Sequence, residues 1–312
     1  MAESIAQGTA FDGNDNRHLL RFLQAYRSGW KQTIKLPSLL VLVYLLQLFF
    51  AILITFPLQT ILANTQDRVG FLAKPISEFD FVLFSDFLNQ HGDLLRGRLD
   101  QSMMMMGLFL VFYVFITGGI LETLIHRRDV FSGSEFWKGA GKYLGKLIAC
   151  LFLFGSIQGV ILLLFIGMLI LNGINPFTME SDQQVVRMVQ WLFPAFLILE
   201  VIVSMVHDHV KVGIVQHPES SFIQVIRERS RQVFRSFFPA FGLYLVVIVT
   251  GQLIFFTGRS ISGLLPENTL SGIWVALLIS QVFILGRIAM KIVNYASIHA
   301  FYIEQGAQTD PE

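Results

Sequence analysis

The chain contains a single cysteine and little charge. One thiol forms no internal disulfide, and Cys150 lies inside an apolar run, where cysteine behaves as a small buried hydrophobe. Charged residues occupy 14% of the 312 positions, against about 25% in ordinary soluble domains. Phosphate-cradling glycine loops, dinucleotide turns, GxSxG elbows and HExxH helices are missing, so no nucleotide, serine-hydrolase or zinc-protease chemistry is legible. No basic domain stands apart from the apolar runs, which argues against a nucleic-acid partner. No cofactor is expected.

What is present is apolar. Hydrophobic residues make up 54% of the chain, including 30 Phe. A soluble fold of this size would leave large apolar patches in water, whereas a bilayer makes lipid the solvent. A helix needs about 20 apolar residues to cross roughly 30 Å of hydrocarbon. Six segments qualify, at about 37–62, 103–125, 147–171, 188–207, 237–258 and 271–291. They are too long for barrel strands and do not alternate, so helices are expected. The fold class is therefore an all-α, polytopic transmembrane bundle of six spans with interfacial amphipathic helices. Residues 1–36 form a cytoplasmic segment with a basic interfacial helix, 37–303 the membrane domain, and 304–312 a cytoplasmic polar tail. The first apolar run exceeds the h-region of a signal peptide and is expected to stay as an anchor.

Orientation follows from Lys and Arg. Threading the six spans puts 17 of the 23 basic residues on one set of ends. The other ends hold Arg68, Lys74, Arg96, Arg98, Arg187 and Arg259. Basic loops stay in the cytoplasm, so both termini are expected inside. Short loops and no visible organelle signal suggest the bacterial cytoplasmic (inner) membrane. The outer loop of about 40 residues after the first span is acidic. Within it Ser77 is expected to cap a short amphipathic helix carrying Phe81, Phe84, Phe87 and Leu88, ended by Gly92.

A basic stripe precedes each odd-numbered span at i, i+4, i+8: Arg27, Lys31, Lys35; Lys138, Lys142, Lys146; and Arg227, Arg231, Arg235. Residues four apart share a helix face. With their neighbouring aromatics, these stripes suit interfacial helices meeting anionic lipid headgroups. Positive-inside selection alone can also crowd cations into these places. Phe136-Trp137-Lys138 leads through Tyr143 into the third span in this surface-helix-then-span manner. In that general shape the chain resembles uncharacterised six-span bacterial membrane proteins, and the membrane domain that accompanies some glycerophosphodiester phosphodiesterases. The resemblance implies the membrane fold; no activity or site residue is carried over.

An ionisable side chain in hydrocarbon costs about 2.5–3.5 kcal/mol on insertion scales, so each asks for a reason. Glu200 lies near the centre of the fourth span, with Ser204, His207, Asp208 and Lys211 following on one helical face. Glu122 and His126 sit at i, i+4 near the inner end of the second span, and Gln281, Arg287, Lys291 and Asn294 mark the last. Arg287 is the expected partner of Glu200. Alternate residues on a helix point about 200° apart, so His207 and His209 cannot chelate one metal. Gly155 and Gly159 form a small-xxx-small pair suited to close helix contact.

Three functions fit. A scaffold or accessory to a membrane-protein partner or to lipids explains the missing motifs and short loops. A transporter or channel explains Glu200 and Arg287 as a polar path. A lipid-active enzyme would use His126, His207 or Asp208 at the inner face. The first is preferred. The topology has its own test: a membrane-impermeant reagent applied to intact cells should spare tags at both termini until the membrane is permeabilised.

Overall fold

The computed structural model describes residues 13–64, 81–126, 130–171, 182–264 and 269–309. These residues form eight helices and no strand: α1 (Gly13–Lys35), α2 (Pro37–Asn64), α3 (Phe81–His126), α4 (Gly133–Leu171), α5 (Asp182–Gln216), α6 (Phe222–Arg235), α7 (Phe237–Ser262) and α8 (Leu270–Thr309). Six contain stretches long and apolar enough to cross a membrane: Pro37–Phe56, Leu99–His126, Gly133–Leu171, Leu192–Gln216, Phe237–Ile261 and Ser271–Ile303. In four of the six, only 17% of the most apolar window is buried within the protein. The rest faces outward through residues such as Phe56, Phe152, Leu163, Phe256 and Trp274. That arrangement suits acyl chains and not water.

The helices divide into two compact units, Val41–Ile116 and Met1–Leu40 with Thr117–Glu312. In the smaller unit, α2 meets α3 through rings. Phe50 lies 4.7 Å from Phe112 and 5.4 Å from Phe109, and Ser102 Oγ donates to the carbonyl of Ile54 at 3.1 Å. In the larger unit, α1 runs along α7 and α8, α4 along α5, and α6 beneath α5. Ala25, Leu243 and Phe301 close the α1–α7–α8 contact.

Where a surface helix meets a span, the chain breaks twice. Leu36 separates α1 from α2, with Pro37 at the first helical position, where its missing N–H costs nothing. Ser236 separates α6 from α7 with φ −113° and ψ 42°. The junction behind the middle stripe does not break. α4 runs unbroken for 39 residues, about 58 Å, through Gly139, Gly141 and Gly145. Likewise α3 is continuous for 46 residues from Phe81. Gly92 does not end a short outer helix as expected: one glycine costs only about 1 kcal/mol relative to Ala, and Leu94, Leu95, Arg96 and Arg98 beyond it are good helix formers. Ser77 lies outside the described residues. α5 passes Pro194 without interruption, and α8 continues through Thr309, past the start of the segment read as a polar tail.

In lipid, helices gain little from hiding apolar surface from one another and rely on close packing. The glycines that provide it differ from the expected pair. A methyl group at Gly155 or Gly159 would meet nothing within 4 Å. At Gly29, a Cβ would run into Ser297 Oγ and fall 2.9 Å from backbone atoms of α8; at Gly139, it would run into Glu122 Cβ. Spacing marks small residues but does not tell which face they turn to a neighbour. Gly29→Ala should therefore destabilise the protein by about 1–3 kcal/mol through overpacking. Gly155→Ala should be neutral or stabilise by up to about 1 kcal/mol. Unfolding in detergent followed by circular dichroism separates the two.

Candidate functional site

The polar face of α5 meets α8 toward the C-terminal end of the apolar stretch of α5. Asp208 is 2% exposed and lies eight residues before the end of the stretch Leu192–Gln216, about 12 Å along the helix. Its carboxylate accepts from Lys291 Nζ at 2.9 and 3.2 Å, from Asn294 Nδ2 at 2.8 Å and from Lys211 Nζ at 3.2 Å. Lys211 is one turn along α5, and Lys291 and Asn294 are one turn apart on α8, so two helix periods converge on one anion. A carboxylate has about four lone-pair sites, and nitrogen donors from two helices occupy both of its oxygens. One turn above, Ser204 accepts from Gln158 Nε2 of α4 at 3.1 Å. Tyr244 of α7 reaches Ser204 and Asp208. Cys150 is buried nearby in α4.

The two flanking histidines diverge. His207 stacks on Phe154 of α4 at 4.8 Å, while His209 turns edge-on to Tyr302 of α8 at 5.6 Å. His209 Nδ1 lies 2.8 Å from the Met205 carbonyl, which places the proton on that nitrogen. Facing different helices, the two rings share no ligand position, and no group of metal-ligating side chains occurs among the described residues.

Glu200 and Arg287 form no ion pair among the described residues; the α5–α8 pair is Asp208–Lys291 instead. Register explains the difference. Asp208 meets Lys291 and Gln216 meets His299, both 83 positions apart, so Arg287 stands level with Ser204. Glu200 is four residues away, about 6 Å along the axis. Glu200 and Gln281 are half-buried, and Arg287 is exposed. Glu122 accepts from Tyr143 at 2.7 Å and lies 3.1 Å from His126 Nδ1, which ties α3 to α4. His126 thus pairs within its own helix, α3, and joins neither His207 nor Asp208.

A second polar cluster, built on Arg229, is not evident from the stripes. Arg229 is 5% exposed, its guanidinium 4.3 Å from the centre of the Tyr302 ring. It donates to Gln216 Oε1 at 2.6 Å and Gln232 Oε1 at 3.0 Å, and Gln216 Nε2 lies 2.7 Å from His299 Nδ1. Gly213 makes the room: a Cβ there would fall 2.6 Å from Arg229 Cγ. Burial lowers the Arg229 pKa from its usual range. His217 is also held below 6.5, first by burial and then by the charge of Arg229. The readable signal was Val225, Arg229 and Val233 at i, i+4, i+8, the buried face of α6. Ser221 caps that helix by accepting from the Gln224 N–H.

Of the nine stripe residues, Arg27, Lys31, Lys35, Lys138, Lys142, Arg227, Arg231 and Arg235 are exposed. Lys146 is not a headgroup-facing residue. Its ammonium donates to the carbonyls of Pro218 at 2.5 Å and Ser220 at 2.9 Å, closing the turn between α5 and α6.

Asp208→Asn removes the anion that holds two ammonium groups and should cost about 3–5 kcal/mol. Adding Lys291→Met should recover part of the loss, and a double-mutant cycle by unfolding in detergent measures the coupling. Around His217 the sign is set by its lowered pKa: the neutral ring suits the fold, so its contribution is present above 6.5 and declines as pH falls below that value. His217→Gln should flatten that part of the stability–pH curve.

Comparison with protein-family models, curated proteins and solved structures gives no match for this chain.

Proposed function

We propose that this protein is a non-enzymatic, multi-pass scaffold of the bacterial cytoplasmic membrane. In this reading both termini and the basic stripes face the cytoplasm, where the protein holds anionic headgroups and serves a membrane-protein partner. One observation carries the proposal: the two faces of α6. Val225, Arg229 and Val233 lock the helix to the bundle, while Arg227, Arg231 and Arg235 are presented outward in a row. A helix pinned from beneath with a free cationic edge is preorganised to grip a negatively charged surface at little entropic cost. α1 and the start of α4 present matching exposed edges. The intramembrane polar residues support the same reading. Asp208 and Glu122 spend their acceptor capacity joining helices, as struts do.

Two measurements test it. In mixed vesicles, a spin-labelled anionic lipid should be enriched at the protein, and Arg227→Gln/Arg231→Gln/Arg235→Gln should lower that enrichment by roughly fivefold per charge at most. In proteoliposomes, ion and small-solute flux should equal that of empty vesicles. A flux that disappears with Glu200→Ala would replace the scaffold reading with transport.

A further inference from the structure

Between α7 and α8, in the half of the larger unit away from α6, lies a groove of about 720 Å³. Its walls are largely apolar, with Ile248, Ile254, Phe255, Phe283 and Ile284 beside Gln252 and Ser280, yet it also holds Arg259 and Arg287. Both features need explaining. Arg287 lies within the apolar stretch Ser271–Ile303, and among the described residues no carboxylate pairs with it or with Arg259. A guanidinium at that depth is costly unless an anion accompanies it.

The two arginines act on one place. A Cβ at Gly258 would touch Phe283, and one at Gly286 would touch Ile254, which sets the antiparallel register of α7 and α8. Arg287 then stands opposite residues 253–254 and Arg259 opposite 281–282, an axial offset of about 8 Å from opposing walls. Guanidinium groups match phosphate oxygens in forked geometry. The groove also opens to the bilayer: Phe255 and Ile284, which line it, are 52% and 42% exposed and belong to the outward apolar surface. Its size is that of ordinary ligand sites.

We propose that this groove is a binding site for one anionic phospholipid, its phosphate held between Arg259 and Arg287 and its acyl chains lying along Ile254, Phe255 and Phe283. A soluble anion would gain nothing from those apolar walls, and a zwitterionic lipid would bring a headgroup cation that two guanidinium groups repel. The site is separate from the basic edge of α6 and rests only on the membrane reading.

The test is native mass spectrometry of full-length protein released from nanodiscs of phosphatidylcholine containing some phosphatidylglycerol. The wild type should retain one phosphatidylglycerol through detergent exchange. Arg259→Gln/Arg287→Gln should lower that retention by roughly tenfold, as expected for the loss of charge-assisted hydrogen bonds. Gly251→Phe tests occupancy with both arginines in place, because Gly251 lines the groove and a Cβ there meets nothing within 4 Å. It should expel the lipid without disturbing the helices. If the double arginine variant does not fold, Arg259→Gln and Gly251→Phe carry the test. Arg227→Gln/Arg231→Gln/Arg235→Gln should keep the retained molecule, so failure here is distinct from failure of the headgroup grip at α6. Equal retention by wild type and groove variants, or equal retention of phosphatidylcholine, overturns the proposal.

Discussion

Hydrocarbon does not solvate a charge, and the larger unit is organised around that constraint. Asp208 cannot be left alone at its depth, so α5 must bring Lys211 and α8 must bring Lys291 and Asn294 to the same point. Three nitrogen donors around one carboxylate fix both the rotation of each helix and the register between them. The same offset recurs at Gln216 and His299, where α8 enters the network of Arg229. From Asp208 down to α6, α5 and α8 are thus held by directional contacts, and the apolar side chains fill what those contacts leave. Buried ion pairs are weak evidence for net stability, since well-packed apolar groups often do as well. Their value here lies in specifying one alignment among many that lipid would tolerate.

Close backbone approach is the other half of the arrangement. α1 lies against α8 because Gly29 has no side chain to hold Ser297 away, and α3 reaches α4 over Gly139. Glu122 then finds Tyr143 across that second contact. Packing and polar contact are coupled: without the small residue the donor and acceptor would not meet.

The six spans were legible because long apolar runs admit one reading in lipid. The polar face from Glu200 to Lys211 was legible too, since helical periodicity is local. Its partner was not. Register between helices 83 positions apart depends on the lengths and tilts of everything between them, so spacing alone points to Arg287 and the structure brings Lys291 to Asp208. Arg229 was hidden among similar neighbours; only its spacing from Val225 and Val233 distinguished it. Lys146 shows the reverse error, a stripe member that turns inward because the carbonyls of Pro218 and Ser220 lie above it. The Gly155 and Gly159 pair misled because a motif records size without direction.

The contrast between broken and unbroken junctions has a geometric consequence. At Ser236 the backbone leaves the helical region, so α6 can lie along the bundle while α7 follows its own axis. α4 has no such joint. Lys138 and Lys142 share one unbroken helix with Leu171, so the direction of this cationic edge is tied to that of the span that follows it.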